Sequence, residues 1–219
     1  MSKNDLRLWG VGTIRTMRAH WMLAELDLEY ELRPIESRSG ETMTEEFLRL
    51  NPKHKIPVLE HGPFVLSESA AIIAYLSETF AAPEGFFVPG DSAGRARLNE
   101  WCFFIAMELD AHSLYLVRRH HELSDIFGEA PHAVDSAKQY FCEQIACMMT
   151  RFDADADWLM PEGMSVADIL LVSCISYALA LEITIPQPLV AYRQRLIDRP
   201  AYRRAFVANF PDRTLADIR

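Results

Sequence analysis

The chain opens with a short alternation. Leu6-Arg7-Leu8-Trp9 repeats apolar positions at a period of two and predicts a strand, broken by Gly10-Val11-Gly12. Ile14, Met17, Trp21, Met22, Ala24 and Leu26 then recur with helical spacing and predict a helix to about Leu26. Leu28 to Ile35 reads as a second strand, and a strand, helix and strand in this order predict a parallel pair with a right-handed crossover. Thr42 to Leu50 predicts a short helix that stops at Asn51-Pro52, because the residue before a proline avoids helical backbone. Ile56 to Glu60 and Phe64 to Leu66 predict a hairpin around His61-Gly62-Pro63. Ser67-Glu68-Ser69 opens a further helix through Ala70, Ile73, Tyr75, Leu76 and Phe80.

Residues 1–81 therefore read β-α-β-α-β-β-α, and residues 82–91, with Pro83, Gly85, Pro89 and Gly90, read as a linker. Residues 92–219 carry no strand signal. Ala96 to Arg119 and Val134 to Phe152 predict long amphipathic helices, and Pro188 to Asp198 and Ala201 to Ala208 predict two more. Val166 to Leu181 is apolar almost all round and predicts the buried central helix of a bundle. Ser165 and Asp168 have the spacing of a capping box at its start, flanked by Met164 and Ile169 as a hydrophobic staple. The expected architecture is a small α/β domain followed by an all-helical one.

Composition narrows the partners. Half of the 219 residues are apolar, enough for a sizeable core, and the formal net charge is −9. A surplus of carboxylates disfavours nucleic acid, whose phosphates need a basic face, and anionic membrane surfaces for the same reason. MSKNDLRLWG has no apolar signal region, and the longest apolar run, Ile169 to Leu181, falls short of the ~20 residues a bilayer span needs. A soluble, cytoplasmic protein is expected. Cys102, Cys142, Cys147 and Cys174 show no C-x-x-C spacing, so reduced thiols serving as small core residues are expected, with no zinc site, disulfide or other metal.

The candidate chemistry lies in NPKHKIPVLEHGPFVLSESAAIIAYL, residues 51–76. Pro57 falls inside a strand signal although proline cannot donate to a ladder, so it belongs at an edge or bulge, where neighbouring backbone groups are open to an extended peptide. Glu68 and Ser69 open a helix whose first-turn N–H groups and dipole attract a carboxylate. Ser69 adds a hydroxyl donor, and Glu68 a charge for an ammonium group. His54 and Lys55 suit a second carboxylate. Together these features fit a small zwitterionic peptide with an extra carboxylate. Read alone, Glu68 and Ser69 are better explained by simple helix-start chemistry, and a solvated loop is the alternative for His54 and Lys55.

NPKHKIPVL followed by LSESAAIIAYL closely resembles the glutathione-binding segment of the cytosolic glutathione transferases. The resemblance continues through Phe87-Val88-Pro89-Gly90-Asp91, Arg95-Ala96, Trp101, Gly163 to Asp168, Leu189 to Tyr192 and Arg199-Pro200-Ala201-Tyr202, essentially the full length. It implies a thioredoxin-like N-terminal domain, a helical C-terminal domain, a role in detoxification and a homodimer. By the same resemblance Ile56 binds the cysteinyl part of glutathione through its backbone beside a cis Pro57. Glu68 and Ser69 hold the γ-glutamyl end, and His54 and Lys55 face the glycine carboxylate.

Thr13 falls where serine-type members keep the hydroxyl that contacts the glutathione sulfur. Threonine departs from their serine or tyrosine; it keeps the hydroxyl but restricts its rotamer. A helix cap is the alternative role for Thr13, and Thr16 is the alternative hydroxyl. A hydroxyl donor plus a helix N-terminus stabilises a thiolate, the nucleophilic form of a thiol that titrates near ~8.5 when free. Arg15 and Arg18 are candidates to steer an anionic peptide, with a solvated helix face the better reading. Phe103, Phe104, Met107, Tyr115 and Arg118 are conceivable lining residues for a second, electrophilic substrate between the domains, with core packing the better reading of any one of them. Conjugation of glutathione to an electrophile is the expected activity. Glutathione-dependent isomerisation or disulfide and peroxide reduction is one alternative, and a non-catalytic binding or scaffolding module another.

Overall fold

The computed structural model describes residues 5–153 and 155–218, and these divide into two compact units, one formed by 5–88 with 196–218 and the other by the described residues of 89–195.

In the first unit, β1 (Leu6–Val11), β2 (Glu31–Glu36), β3 (Val58–His61) and β4 (Phe64–Ser67) form one four-stranded sheet in the order β2-β1-β3-β4. The β1–β2 pair is parallel, and β1–β3 and β3–β4 are antiparallel. The parallel pair is the one joined by a helix, α1 (Ile14–Glu25), as the crossover requires. Strand β3 starts at Val58, two residues later than the apolar run suggested, since Pro57 has no N–H for the ladder. Helices α2 (Glu45–Leu50) and α3 (Ser69–Thr79) complete the expected element order. On one side of the sheet Trp9, Ile35, Phe47 and Val58 form a core cluster, with Trp9 and Phe47 edge to face at 5.9 Å. In α1 and α3 the residues Met22, Leu23, Ile72, Ile73 and Leu76 are fully buried.

In the second unit α4 (Ser92–Phe104) runs into a π-helical stretch, Ile105–Leu114, and on into α5 (Tyr115–His120). The single amphipathic helix expected there therefore contains a wide segment. The stretch is continuous with α-helix on both sides and has no side-chain cap of its own, so no turn or capping residue announces it in the sequence. Short α6 (Ser124–Phe127) precedes α7 (Pro131–Met149), and α8 (Val166–Ala180) is buried along nearly its whole length, as its uninterrupted apolar composition implies. The capping box at its start is present: Asp168 accepts from the Ser165 N–H at 2.7 Å and the Ser165 hydroxyl at 2.9 Å. Asp168 also accepts from the Leu159 N–H at 2.9 Å and from the Tyr192 hydroxyl. Burial pushes the Asp168 carboxyl up, and these bonds oppose the shift. Cys102 and Cys174 are buried as expected, but Cys142 and Cys147 on α7 are exposed, because the polar face of that helix includes them. Phe103 and Met107 are likewise exposed rather than packed in the core. No helix among the described residues is long and apolar enough to cross a membrane.

Helices α9 (Gln187–Ile197) and α10 (Pro200–Asn209) close the chain. The sequence groups α10 with the helical part, yet it belongs to the first unit, because it lies along α1. Trp21 meets Tyr202 edge to face at 4.8 Å, Arg204 donates to the Ala24 carbonyl at 2.8 Å, and the Gly12 N–H donates to the Asn209 carbonyl at 2.7 Å.

Candidate functional site

The turn between β1 and α1 carries Thr13. It is the N-cap of α1 in extended backbone, and its Oγ1 accepts from the Thr16 N–H at 3.0 Å. Thr16 Oγ1 accepts in return from the Thr13 N–H at 3.0 Å, which makes a capping box from two threonines. The two hydroxyl oxygens are 3.0 Å apart. Thr13 retains 9% exposure whereas Thr16 has none, so of the two residues only Thr13 has any surface open to solvent.

Gly10 lets this turn meet the loop ahead of β3. Its φ is +116°, and a Cβ there would stand 2.6 Å from Ile56 Cβ and 2.9 Å from Thr16 Cγ2, closer than packing permits. Ile56 is joined to Pro57 by a cis peptide bond and sits directly before the ladder, beside Gly10 and Thr16. The Gly10 carbonyl is tied from below by His20. A carbonyl only accepts, so His20 Nε2 carries the proton (3.1 Å), and Nδ1 accepts from the Tyr30 hydroxyl at 2.6 Å. Burial holds the imidazole neutral, with its pKa lowered to about 4, and pushes the Tyr30 phenol up to about 12.

Glu68 and Ser69 start α3 as expected. Glu68 has φ +76° and ψ +115°, a backbone region that L-residues rarely adopt, and its side chain remains 70% exposed. Lys53 donates to its carboxylate at 2.5 Å. Ser69 lies at the first turn of α3, and its Oγ accepts from Arg18 Nη1 at 3.2 Å. Arg18 is only 3% exposed, which corrects the expectation of a solvated helix face: α3 lies across that side of α1 and covers it. Val58 pairs with Ser67, so the first turn of α3 is beside the start of β3 and the cis bond.

The structure thus gathers two groups: Thr13, Thr16, Gly10 and Ile56 around the β1–α1 turn, and Arg18, Ser69, Glu68 and Lys53 around the first turn of α3. His54 and Lys55 are exposed in the loop between them. Asn51 shapes that loop, with its Nδ2 donating to the Lys55 carbonyl at 2.7 Å and its Oδ1 accepting from the Lys53 N–H at 3.2 Å. Sequence reading missed Lys53, His20 and Asn51, and it named Arg18 as a steering cation but preferred a solvated face for it. A signal existed for Asn51, whose side chain favours local turns, and for Gly10, a glycine at a strand end.

A single sheet with a helix-joined parallel pair, a cis-proline loop facing a helix N-terminus, and a helical unit define a thioredoxin-like fold with a helical extension. Residues 4–78 match the model of the glutathione S-transferase N-terminal domain. The chain is 31% identical over 176 residues to glutathione S-transferase D7 of Drosophila melanogaster, covering 78% of this chain and 74% of that one. Among solved structures it is similar to a glutathione transferase homolog from Lodderomyces elongisporus, solved with two glutathione molecules per subunit. There the TM-score is 0.83 at 22% identity over 94% of this chain and 99% of that one. It is also similar to a glutathione transferase from Methylococcus capsulatus, with TM-score 0.79 and 26% identity over 93% of this chain and 98% of that one. The chain belongs to the glutathione S-transferase family of enzymes.

Proposed function

We propose that the protein is a glutathione transferase that binds reduced glutathione, holds its sulfur as a thiolate beside Thr13 and adds it to an electrophilic small molecule. The observation that carries this reading is the convergence of the Ile56 backbone and the first turn of α3 on either side of the β3 start. The backbone next to Pro57 offers main-chain groups to the cysteinyl residue in the manner of an added strand. The α3 N-terminus, backed by Ser69 and the Arg18 guanidinium, attracts the γ-glutamyl carboxylate, and the Glu68 carboxylate suits its ammonium. Exposed His54 and Lys55 serve the glycine carboxylate. An unusual backbone at Glu68 is the kind of conformation that functional sites retain.

At the sulfur, Thr13 supplies an O–H donor and the N-terminus of α1 a positive dipole end. Each pH unit by which a thiol pKa falls corresponds to about 1.4 kcal/mol, within the range of one charge-assisted hydrogen bond. The thiol proton leaves to solvent, the thiolate forms a C–S bond with the electrophilic carbon, and the displaced group departs with its electron pair. Cytoplasmic location and a homodimer belong to the same reading. The sheet-edge strand β4, with Phe64 and Val65 exposed, is an apolar edge of the sort that partners cover.

One observation favours a second reading, a glutathione-binding module without turnover: the Thr13 hydroxyl already takes part in the cap of α1. Retention on immobilised glutathione together with conjugation assays separates the two. Thr13→Val is expected to keep binding and lose most turnover, whereas unchanged turnover takes the catalytic role away from Thr13. Unchanged glutathione affinity in Glu68→Ala combined with Ser69→Ala overturns the pocket itself.

A further inference from the structure

Three donors converge on the Thr13 carbonyl. The Met17 N–H reaches it at 3.0 Å as the first bond of α1, the Thr16 hydroxyl at 2.8 Å, and Asn209 Nδ2 at 3.0 Å from a position 196 residues away. A carbonyl oxygen has two lone pairs, so three donors compete for it. The Met17 N–H is fixed by the helix, which leaves the Thr16 hydroxyl and the Asn209 amide as rivals for the second place. The Thr16 hydroxyl has another acceptor within reach, Thr13 Oγ1 at 3.0 Å, whereas the buried Asn209 amide is held where it is. The Asn209 backbone is pinned by the Gly12 N–H at 2.7 Å, and α10 is held along α1 as far as Glu25. Its Oδ1 is buried with no hydrogen-bond partner among the described residues. The opposite amide orientation would set that oxygen against the Thr13 carbonyl, so the donor faces Thr13.

We propose that Asn209 is a positioning residue that turns the Thr13 hydroxyl proton outward, toward the sulfur. With Asn209 and Met17 on the Thr13 carbonyl, the Thr16 hydroxyl donates to Thr13 Oγ1. That oxygen then accepts from both the Thr16 N–H and the Thr16 hydroxyl, both inward. Its own proton points out of the turn. Donors in a chain polarise one another, so the relay from Thr16 through Thr13 strengthens the last bond, the one to the thiolate. Without the Asn209 amide, the Thr16 proton falls on the carbonyl and the Thr13 proton on Thr16 Oγ1, and the sulfur loses its donor. The inference rests on the assignment of Thr13 as the sulfur contact.

The test is the thiol pKa of enzyme-bound glutathione, followed by the ultraviolet absorbance of the thiolate, in the wild type, Thr13→Val, Asn209→Leu, Thr16→Val and the Asn209→Leu/Thr16→Val double variant. Asn209→Leu is expected to raise that pKa by about one unit, the scale of one charge-assisted hydrogen bond, with glutathione affinity measured at low pH unchanged. Thr16→Val removes the inner acceptor, so in that background Asn209→Leu is expected to have no further effect, a coupling that loss of packing does not produce. Asn209→Ala, which cannot overpack, replaces Asn209→Leu if the leucine variant does not fold. No rise with Asn209→Leu or Asn209→Ala, or a rise that persists with Thr16→Val, overturns the role of Asn209 while a rise in Thr13→Val leaves the sulfur contact standing. No rise in Thr13→Val removes the sulfur contact, and this inference with it.

Discussion

Arg199 grips Glu25 with a two-pronged ion pair: its Nε and Nη2 donate to the two carboxylate oxygens, each at 2.7 Å, across 174 residues of sequence. Glu25, whose side chain is only 4% exposed, also accepts from Trp21 Nε1 at 2.8 Å. The pair fixes the start of α10 to the end of α1, just as Asn209 fixes the end of α10 to the start of α1. Arg199→Ala leaves a buried carboxylate with a single donor and is expected to lower unfolding stability by about 2–3 kcal/mol in urea titration. Glu25→Gln in the same chain restores part of it, because an amide is less costly to bury than a charge. A loss under ~0.5 kcal/mol would show that this pair is no stronger than an exposed one.

Arg18 reaches Ser69 from beneath α3, and under the proposed reading its charge supports the carboxylate subsite. Arg18→Met keeps a long apolar stem and removes the charge. Glutathione affinity by calorimetry is expected to fall about tenfold or more, the usual range for one charged hydrogen-bond partner, while Ser69→Ala alone costs less. Equal affinity in Arg18→Met and wild type contradicts the assignment.

The backbone at Glu68 carries strain on the order of 1–3 kcal/mol, which glycine does not pay at positive φ. Glu68→Gly is therefore expected to be at least as stable as the wild type while binding glutathione more weakly. Its exposed ion pair with Lys53 contributes little to folding, so its loss does not mask the effect. A clear drop in thermal midpoint would mean that the conformation is set by ordinary packing.

His20 makes folding sensitive to acid. Its pKa is about 4 in the folded chain against an ordinary 6.5, because burial disfavours the imidazolium. Between those values the unfolded chain takes up a proton that the folded chain refuses. Stability is therefore full above pH ~6.5, falls as pH drops toward ~4 and levels off below it, by about 3 kcal/mol for this residue. His20→Leu is expected to be less stable at neutral pH, since Gly10 and Tyr30 lose their partner, yet to show a shallower fall across that window. An identical pH slope in the variant would assign the acid sensitivity to other groups.

The sheet, α1 and the hairpin were legible in the sequence because each carries its own period, and the Ile56-Pro57 and Glu68-Ser69 pair because proline and helix-start chemistry are local. Arg18 was not. A cation on a helix reads as solvated until another element covers it, and here α3, more than forty residues on, does so. Asn209 was invisible for the same reason at greater range. Nothing near Phe206 to Phe210 signals that a carboxamide will end beside Thr13. Thr16 showed only as a spare hydroxyl, since its role depends on which of two acceptors its proton chooses.

The most direct test of the central claim is a titration of the wild-type protein saturated with glutathione, reading the thiolate by its ultraviolet absorbance against free glutathione. The account predicts a bound thiol about one unit or more below the ~8.5 of a free cysteine thiol. A bound thiol that titrates with the free peptide, or a protein that does not take up glutathione at all, contradicts it.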